Sequence, residues 1–181
     1  MPLLNEIAPE AAEGEVADLY RDFEKTIGFV PNAFRAMSAS PGLLALHWER
    51  VRFHFQHPSI SGRLGAAIRM LVSKQANCPY CIGINAGILM QQFGMTADDI
   101  NAMQADPSRA PLDDKEKAML LFVLKGISDP HSVGESDIAG LRKLGWSDRD
   151  ILDGLDLGAY QMAMDTLINA FKVENEAPFS S

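Results

Sequence analysis

The chain has 181 residues and a mass of 19.8 kDa, which is enough for one globular domain. Hydrophobic residues make up 47% of it and charged residues 22%, a composition that excludes wholesale disorder. Sixteen Lys and Arg against twenty-four Asp and Glu give a net charge of −8. Because there is also no basic run, this charge argues against nucleic-acid and anionic-membrane partners.

No apolar stretch approaches the roughly 18–20 residues that a membrane-spanning helix needs. Residues 1–7 have neither the basic region nor the long apolar run of a secretory signal. We therefore expect a cytoplasmic protein with no membrane partner.

The pattern of apolar residues is helical from the first segment onwards. In that segment apolar side chains recur at every third or fourth position, at Val16, Leu19, Tyr20, Phe23 and Ile27. Gly28 follows as a helix stop. Ser40 and Ser61 are predicted to cap the next two helices, with Pro41 at the first helical position.

Similar signals continue along the second half of the chain. The helix after the cysteines should end at Gly94, and Asp113 begins a capping pattern with an acidic residue three positions later. Ser147 should cap a long last helix that ends near Lys172, and residues 174–181 should form a frayed tail. Because Val, Ile and Thr never alternate in runs, the predicted fold class is all-α.

Two segments recur at nearly constant spacing, which indicates a duplicated helical unit. Residues 60–72 resemble residues 112–124, 52 positions later, and residues 93–100 resemble residues 144–151, 51 positions later. The predicted organisation is one globular domain with an N-terminal helical arm at 1–57 and a duplicated core at 58–175. The first copy covers about 58–107 and contains both cysteines, and the second covers about 108–175.

The sequence Cys-Pro-Tyr-Cys holds the only two cysteines, Cys78 and Cys81. A structural zinc would need two more ligands, and no close pair follows at finger-like spacing among His47, His54, His57 and His131. A structural disulfide would close too small a loop to constrain the chain, and two inert buried thiols are a further alternative. The hypothesis we favour is a redox dithiol, with no metal and no cofactor.

The local sequence supports a reactive thiolate at this motif. Pro79 suits the first position of a helix, which places both sulfurs in the first turn. There the helix dipole and unpaired N–H groups lower a thiol pKa, and the effect favours Cys78, the residue nearer the helix start. The motif also resembles that of glutaredoxins, but an apparent helix precedes it where that fold requires a strand.

Three segments together resemble the alkylhydroperoxidase D / carboxymuconolactone decarboxylase superfamily, and more narrowly its peroxidase-related branch. They are residues 29–41, residues 76–81 with the two cysteines, and residues 112–120. The resemblance implies an all-α duplicated fold and a homo-oligomer. It also implies that Cys81 attacks a peroxide and forms a sulfenic acid, while Cys78 donates a proton and then resolves the intermediate.

The chain departs from the family pattern at two catalytic positions. The family places a glutamate twelve residues before the first cysteine and a histidine four after the second, where this sequence has Ala66 and Asn85. Loss of a positioned base predicts weak peroxidase activity. Asn85 should share a helix face with Cys81 and hydrogen-bond a sulfur or a water. Tyr80, His54 and His57 are further auxiliary candidates, although ordinary structural histidines are the commoner case.

The leading functional hypothesis is a dithiol oxidoreductase that reduces a peroxide or another small substrate and is regenerated by a dithiol protein or small thiol. An alternative is a catalytically impaired member that serves as an oligomeric binding or scaffold protein. A lactone decarboxylase is less favoured, because that activity does not use a cysteine pair.

Overall fold

The computed structural model describes residues 3–176, which form an all-helical protein. Within this range there are nine α-helices joined by short loops and 3₁₀ turns, and no strand. The helices are α1 (Gly14–Ile27), α2 (Asn32–Ala36), α3 (Pro41–Phe55), α4 (Gly62–Gln75), α5 (Pro79–Phe93), α6 (Ala97–Ala105), α7 (Asp114–Ser128), α8 (Glu135–Lys143) and α9 (Asp148–Phe171). The all-α prediction is confirmed.

The helix ends follow the local signals of the sequence. Gly28 and Gly94 end α1 and α5 in the left-handed conformation, with φ of 96° and 67°. The hydroxyl of Ser61 accepts a hydrogen bond from the backbone N–H of Leu64, and Ser147 forms a capping box at the start of α9. Ser40 precedes α3 as expected, but its side chain makes no capping bond.

Helix α4 lies at the centre of the main core and packs against α5, α7 and α9. The contact between α7 and α9 is close at Gly158. A Cβ there would lie 2.5 Å from Cγ1 of Val123, so only glycine fits without a shift of its neighbours. This core holds α4, α5 and α9 together around the cysteines.

A second apolar cluster joins α1–α3 to the cysteines and to α9. Its aromatic centre is Phe23, whose ring lies 4.5 Å from Phe34 and 4.3 Å from Trp48 between centroids. Both cysteines belong to this cluster. The N-terminal helices therefore cover the cysteine pair.

The order of elements is the same in the two segments that resemble each other. In each, a helix ends at a glycine with positive φ, Gly94 or Gly145, and a capped helix follows after Thr96 or Ser147. The duplication and its boundaries at 58–107 and 108–175 remain a prediction.

The segment after α9 differs from the frayed tail that the sequence predicts. The side chain of Glu176 is buried, and its Oε1 accepts hydrogen bonds from the Tyr80 hydroxyl and the Asn32 backbone N–H, both at 2.6 Å. These bonds hold the segment against α5 and α2. Residues 177–181 of the predicted tail lie outside the described residues. Between residues 3 and 176, no helix is long and apolar enough to cross a membrane.

Candidate active site

The two thiols lie at the start of α5, in the geometry that the motif predicts. Cys78 is the N-cap residue, and Cys81 is the third residue of the helix, after Pro79 at its first position. Both cysteines are reduced and buried, with exposed fractions of 0% for Cys78 and 4% for Cys81. The backbone N–H of Cys78 donates to the carbonyl of Ser73 at 3.0 Å, which joins the end of α4 to the start of α5.

A buried carboxyl group from α9 completes the site. One oxygen of Asp165, the Cys78 sulfur and the Cys81 sulfur all lie within 4.8 Å of one another. Asp165 is fully buried, and its Oδ1 accepts hydrogen bonds from Ser73 Oγ at 2.9 Å and Gln161 Nε2 at 2.8 Å. Its Oδ2 has no hydrogen-bond partner. The three acidic groups therefore form one compact, solvent-shielded cluster.

The two thiols of the cluster differ in pKa. The pKa of Cys78 is lowered, chiefly because it accepts a hydrogen bond from the Cys81 thiol, and the pKa of Cys81 is raised because its proton is held in that bond. Burial raises the pKa of Asp165. Of the two thiols, Cys78 therefore loses its proton before Cys81. Because the three groups lie so close together, ionisation of one disfavours ionisation of the others.

Of the two cysteines, Cys81 lines a cavity and Cys78 does not. Cys81 lines an apolar cavity of about 130 Å³ whose walls come from the N-terminal helices, α4, α5 and α9, while Cys78 is not among its lining residues. The polar groups of the wall include Arg69, Asn85 and Gln161. A small molecule in this cavity would meet Cys81 first.

The two positions of the family relay have other roles in this chain. Ala66 is fully buried in the main core. Asn85 shares the helix face of Cys81, and among the described residues its side chain bonds no sulfur, so the expected bond to a sulfur or a water stays a prediction. Its Nδ2 donates to the backbone carbonyl of Cys81 at 2.9 Å, and its Oδ1 accepts from Arg69 Nε at 2.8 Å. Asn85 therefore orients Arg69.

The two candidate histidines are engaged away from the cysteines. His57 Nδ1 accepts hydrogen bonds from the backbone N–H groups that follow it, including that of Ile60 at 2.9 Å, and its Nε2 lies 3.1 Å from Asp153. His54 Nε2 lies 3.2 Å from Asp156, and burial lowers the pKa of this imidazole. The hydrogen bonds of His57 fit a structural role. His54 is close to Asp156, but neither of its ring nitrogens makes a hydrogen bond among the described residues. The zinc alternative required two histidines as ligands. Among the described residues, the group that could hold a metal at the cysteines consists of Cys78, Cys81 and Asp165.

Tyr80, between the cysteines, is a link in the structure and not a group that faces the thiols. Its hydroxyl donates to Glu176 at 2.6 Å and accepts from the Ala33 backbone N–H at 3.2 Å. Burial, followed by the nearby Glu176 charge, raises the pKa of Tyr80. The phenol therefore stays protonated and ties α2 and the C-terminal segment to the motif.

Two residues of the site were missed by sequence reasoning, Asp165 and Arg69. The sequence does contain a pattern that points to Asp165. It lies at helical spacing from Leu157, Gln161 and Ile168, which are buried on the same face of α9. A carboxylate on such a stripe requires a buried partner. Because Asp165 is far from the cysteines in sequence, the sequence did not show that they are its partners.

No family model and no curated protein sequence matches the chain. Solved structures do match it. An uncharacterized peroxidase-related protein from Silicibacter sp. TM1040 has a TM-score of 0.82 at 21% identity, covering 98% of this chain and 91% of that one. An uncharacterized peroxidase-related protein from Ralstonia eutropha JMP134, described as an alkylhydroperoxidase AhpD core, has a TM-score of 0.79 at 20% identity, covering 97% and 96%.

A third similar structure is the debrominase Bmp8, with a TM-score of 0.78 at 19% identity, covering 97% of this chain and 92% of Bmp8. At these identities the comparisons define the fold. The chain has the alkylhydroperoxidase D-like fold of the peroxidase-related proteins, as the sequence resemblance predicts.

Proposed function

We propose that this chain is a dithiol oxidoreductase that reduces a hydroperoxide at the Cys78–Cys81 pair and is regenerated by an external dithiol. The observation that carries the proposal is the cluster of two buried thiols and the Asp165 carboxyl at the wall of a cavity that Cys81 lines. A dithiol reductase needs two sulfurs and a proton source close together, and this cluster supplies all three within 4.8 Å.

The first step is the attack of Cys81 on the peroxide, and it depends on the lower pKa of Cys78. The proton of Cys81 passes to the Cys78 thiolate, and the Cys81 thiolate attacks the terminal peroxide oxygen. A sulfur–oxygen bond forms, the oxygen–oxygen bond breaks, and Cys81 becomes a sulfenic acid. The Cys78 thiol gives its proton to the departing alkoxide, which leaves as an alcohol. Access to the cavity thus selects Cys81 as the attacking residue, although Cys78 ionises first.

The second step forms the disulfide. The Cys78 thiolate attacks the Cys81 sulfur, and the hydroxide that leaves takes the proton of Asp165 to become water. Asp165 ends this step ionised. A dithiol donor then reduces the disulfide through a mixed disulfide, restoring both sulfurs and the Asp165 proton. Asp165 thereby supplies a proton that neither Ala66 nor Asn85 can provide at the family positions.

The test is peroxide consumption with a dithiol donor, followed by stopped flow for wild type, Cys81→Ser, Cys78→Ser and the double variant. We expect turnover only in wild type, and an oxidised form about 2 Da lighter because two hydrogens are lost on disulfide formation. Cys78→Ser lacks the thiolate that takes the Cys81 proton, so it should react once, more slowly than wild type, and stop as a sulfenic acid. Equal peroxide consumption by wild type and the double variant would favour the scaffold alternative.

A second candidate is reductive dehalogenation of a small halogenated ring. It is favoured by the size of the cavity, since an apolar cavity of about 150 Å³ accommodates benzene, and by the similarity to Bmp8, of which a cysteine-to-alanine variant is described in complex with 2,3,4-tribromopyrrole. The Cys81 thiolate would take the halogen, the ring would gain a proton, and Cys78 would displace halide as the disulfide forms. Bromide release from tribromopyrrole with a dithiol donor, without peroxide turnover, would select this candidate.

A further inference from the structure

Arg69 lies at the wall of the cavity in a fixed orientation. It projects from α4, and its Nε is held by the Asn85 side chain at 2.8 Å. Its guanidinium carbon lies 5.3 Å from the ring centroid of Phe55. Gly65, one turn earlier, leaves room for it, because a Cβ there would lie 3.3 Å from Arg69 Nη1. The guanidinium is therefore positioned by its neighbours.

This cation has no carboxylate partner in the described part of the chain, and the acidic group that acts on it is the thiol of Cys81. No carboxylate among residues 3–176 forms an ion pair with Arg69, whereas Arg50 and Arg142, on the surface, each pair with an aspartate. The two terminal nitrogens of Arg69 make no hydrogen bond within that range, and they are not among the fully buried polar atoms. Burial lowers the pKa of Arg69 to about 10, so the group remains charged at neutral pH.

Arg69 borders two adjoining spaces. The inner one is the cavity that contains Cys81, and the outer one is a groove of about 390 Å³ whose wall includes Gln91, Gln92 and Phe93. No Asp or Glu lines either space, although the chain carries a net charge of −8. While Cys81 keeps its proton, a half-buried cation between two spaces free of carboxylates is unfavourable unless an anion joins it.

We propose that Arg69 binds the carboxylate of a small apolar substrate whose ring-sized body occupies the cavity against Cys81. The inference rests on the proposed function for the reaction, and it names the substrate class as hydroperoxides that carry a carboxylate on a ring-sized body. The cavity volume of about 130 Å³ limits the body to a single ring, since it is slightly below the about 150 Å³ of a cavity that accommodates benzene.

The choice of a carboxylate follows from the shape of the guanidinium. Because Asn85 takes up the Nε–H, the two terminal nitrogens remain to donate in parallel, and a carboxylate accepts such a pair in bidentate fashion. Arg69 would also neutralise the carboxylate of the substrate close to the Cys81 thiolate. Without Arg69, an anionic substrate and an ionised dithiol would repel each other.

The test is calorimetric titration of the reduced protein with sodium benzoate and with benzyl alcohol, a neutral molecule of nearly the same size. We expect benzoate to bind about 10- to 100-fold more tightly, the range for hydrogen bonds to a charged group. Arg69→Met should remove that advantage and leave benzyl alcohol binding unchanged. Arg63→Met is the matched control, because Arg63 lies on the same helix but is exposed, and it should bind benzoate as wild type does.

Equal affinity of wild type for the two ligands, or no binding of either, would overturn the inference without any variant. If Arg69→Met does not fold, Arg69→Lys replaces it and should retain a reduced preference for benzoate. The same titrations on the Cys78→Ser/Cys81→Ser variant separate the two proposals, since that protein cannot turn over. Benzoate binding that depends on Arg69, in a protein without peroxide turnover, would leave this inference standing while the proposed reaction fails.

Discussion

The carboxyl of Asp165 has an oxygen within 4.8 Å of both sulfurs, so its protonation state is tied to theirs. In the proposed reaction it acts only after the peroxide has reacted, when hydroxide must leave the Cys81 sulfur. An amide at this position would keep the bonds to Ser73 and Gln161 through its oxygen but has no proton to give. The two chemical steps should therefore respond differently to its replacement.

We predict that Asp165→Asn reacts with peroxide at nearly the wild-type rate but forms the disulfide about 10²-fold more slowly, the lower end of general-acid effects. The sulfenic acid on Cys81 should accumulate and be trapped by dimedone, measured by mass spectrometry over time. Asp148→Asn, at the exposed start of the same helix, is the control. Dimedone labelling that matches wild type would exclude Asp165 as the proton donor.

Asp165 should also make stability depend on pH. Its carboxyl has a reference pKa of 3.8, and burial raises that value in the folded state. The folded protein then holds the Asp165 proton more tightly than the unfolded chain does. Protonation of Asp165 therefore stabilises the fold fully below pH 3.8, and this contribution is lost as the pH rises through the pKa of the folded state. Asp165→Asn should therefore gain stability relative to wild type as pH rises, measured by urea unfolding at several pH values. A difference that stays constant with pH contradicts this.

At the scale of the helices, sequence reasoning succeeded where the signal is local. Gly28, Gly94, Ser61 and Ser147 end or cap helices as predicted, because a cap depends on residues three or four positions away. The cysteines lie in the first turn of α5 for the same reason. Asp165 was not predicted as their partner, since that contact depends on how α9 packs across α4.

The packing of α9 on α7 can be tested at Gly158. Replacing it with alanine places a Cβ 2.5 Å from Val123 Cγ1, and Val123 lies in the buried core where it has little room to move. Gly158→Ala should cost about 1–3 kcal/mol of stability, as overpacking does. Gly140→Ala on exposed α8 meets nothing within 4 Å and should be neutral or stabilising by up to about 1 kcal/mol. Chemical unfolding of both variants measures the contrast, and equal effects would contradict it.

For the whole molecule, α3 is the helix whose packing is incomplete. One face, with Leu44 and Trp48, is buried over the cysteine region. The other bears large apolar side chains that remain exposed, namely Leu43 at 43%, Leu46 at 70% and Phe53 at 45%. A helix that is apolar on both faces is typical of a subunit interface, and this supports the homo-oligomer that the family resemblance implies.

We predict that the protein forms a homo-oligomer through this face of α3, with closed symmetry so that the same apolar patch is covered in every copy. Light scattering at micromolar concentration should give a multiple of 19.8 kDa. Leu46→Glu should shift the mass towards the monomer, because a carboxylate in an apolar interface loses its hydration. Leu144→Glu, at the end of α8 where the leucine is 41% exposed, should leave the mass unchanged. A wild type that is already monomeric would mean that the apolar face of α3 is not a contact between copies.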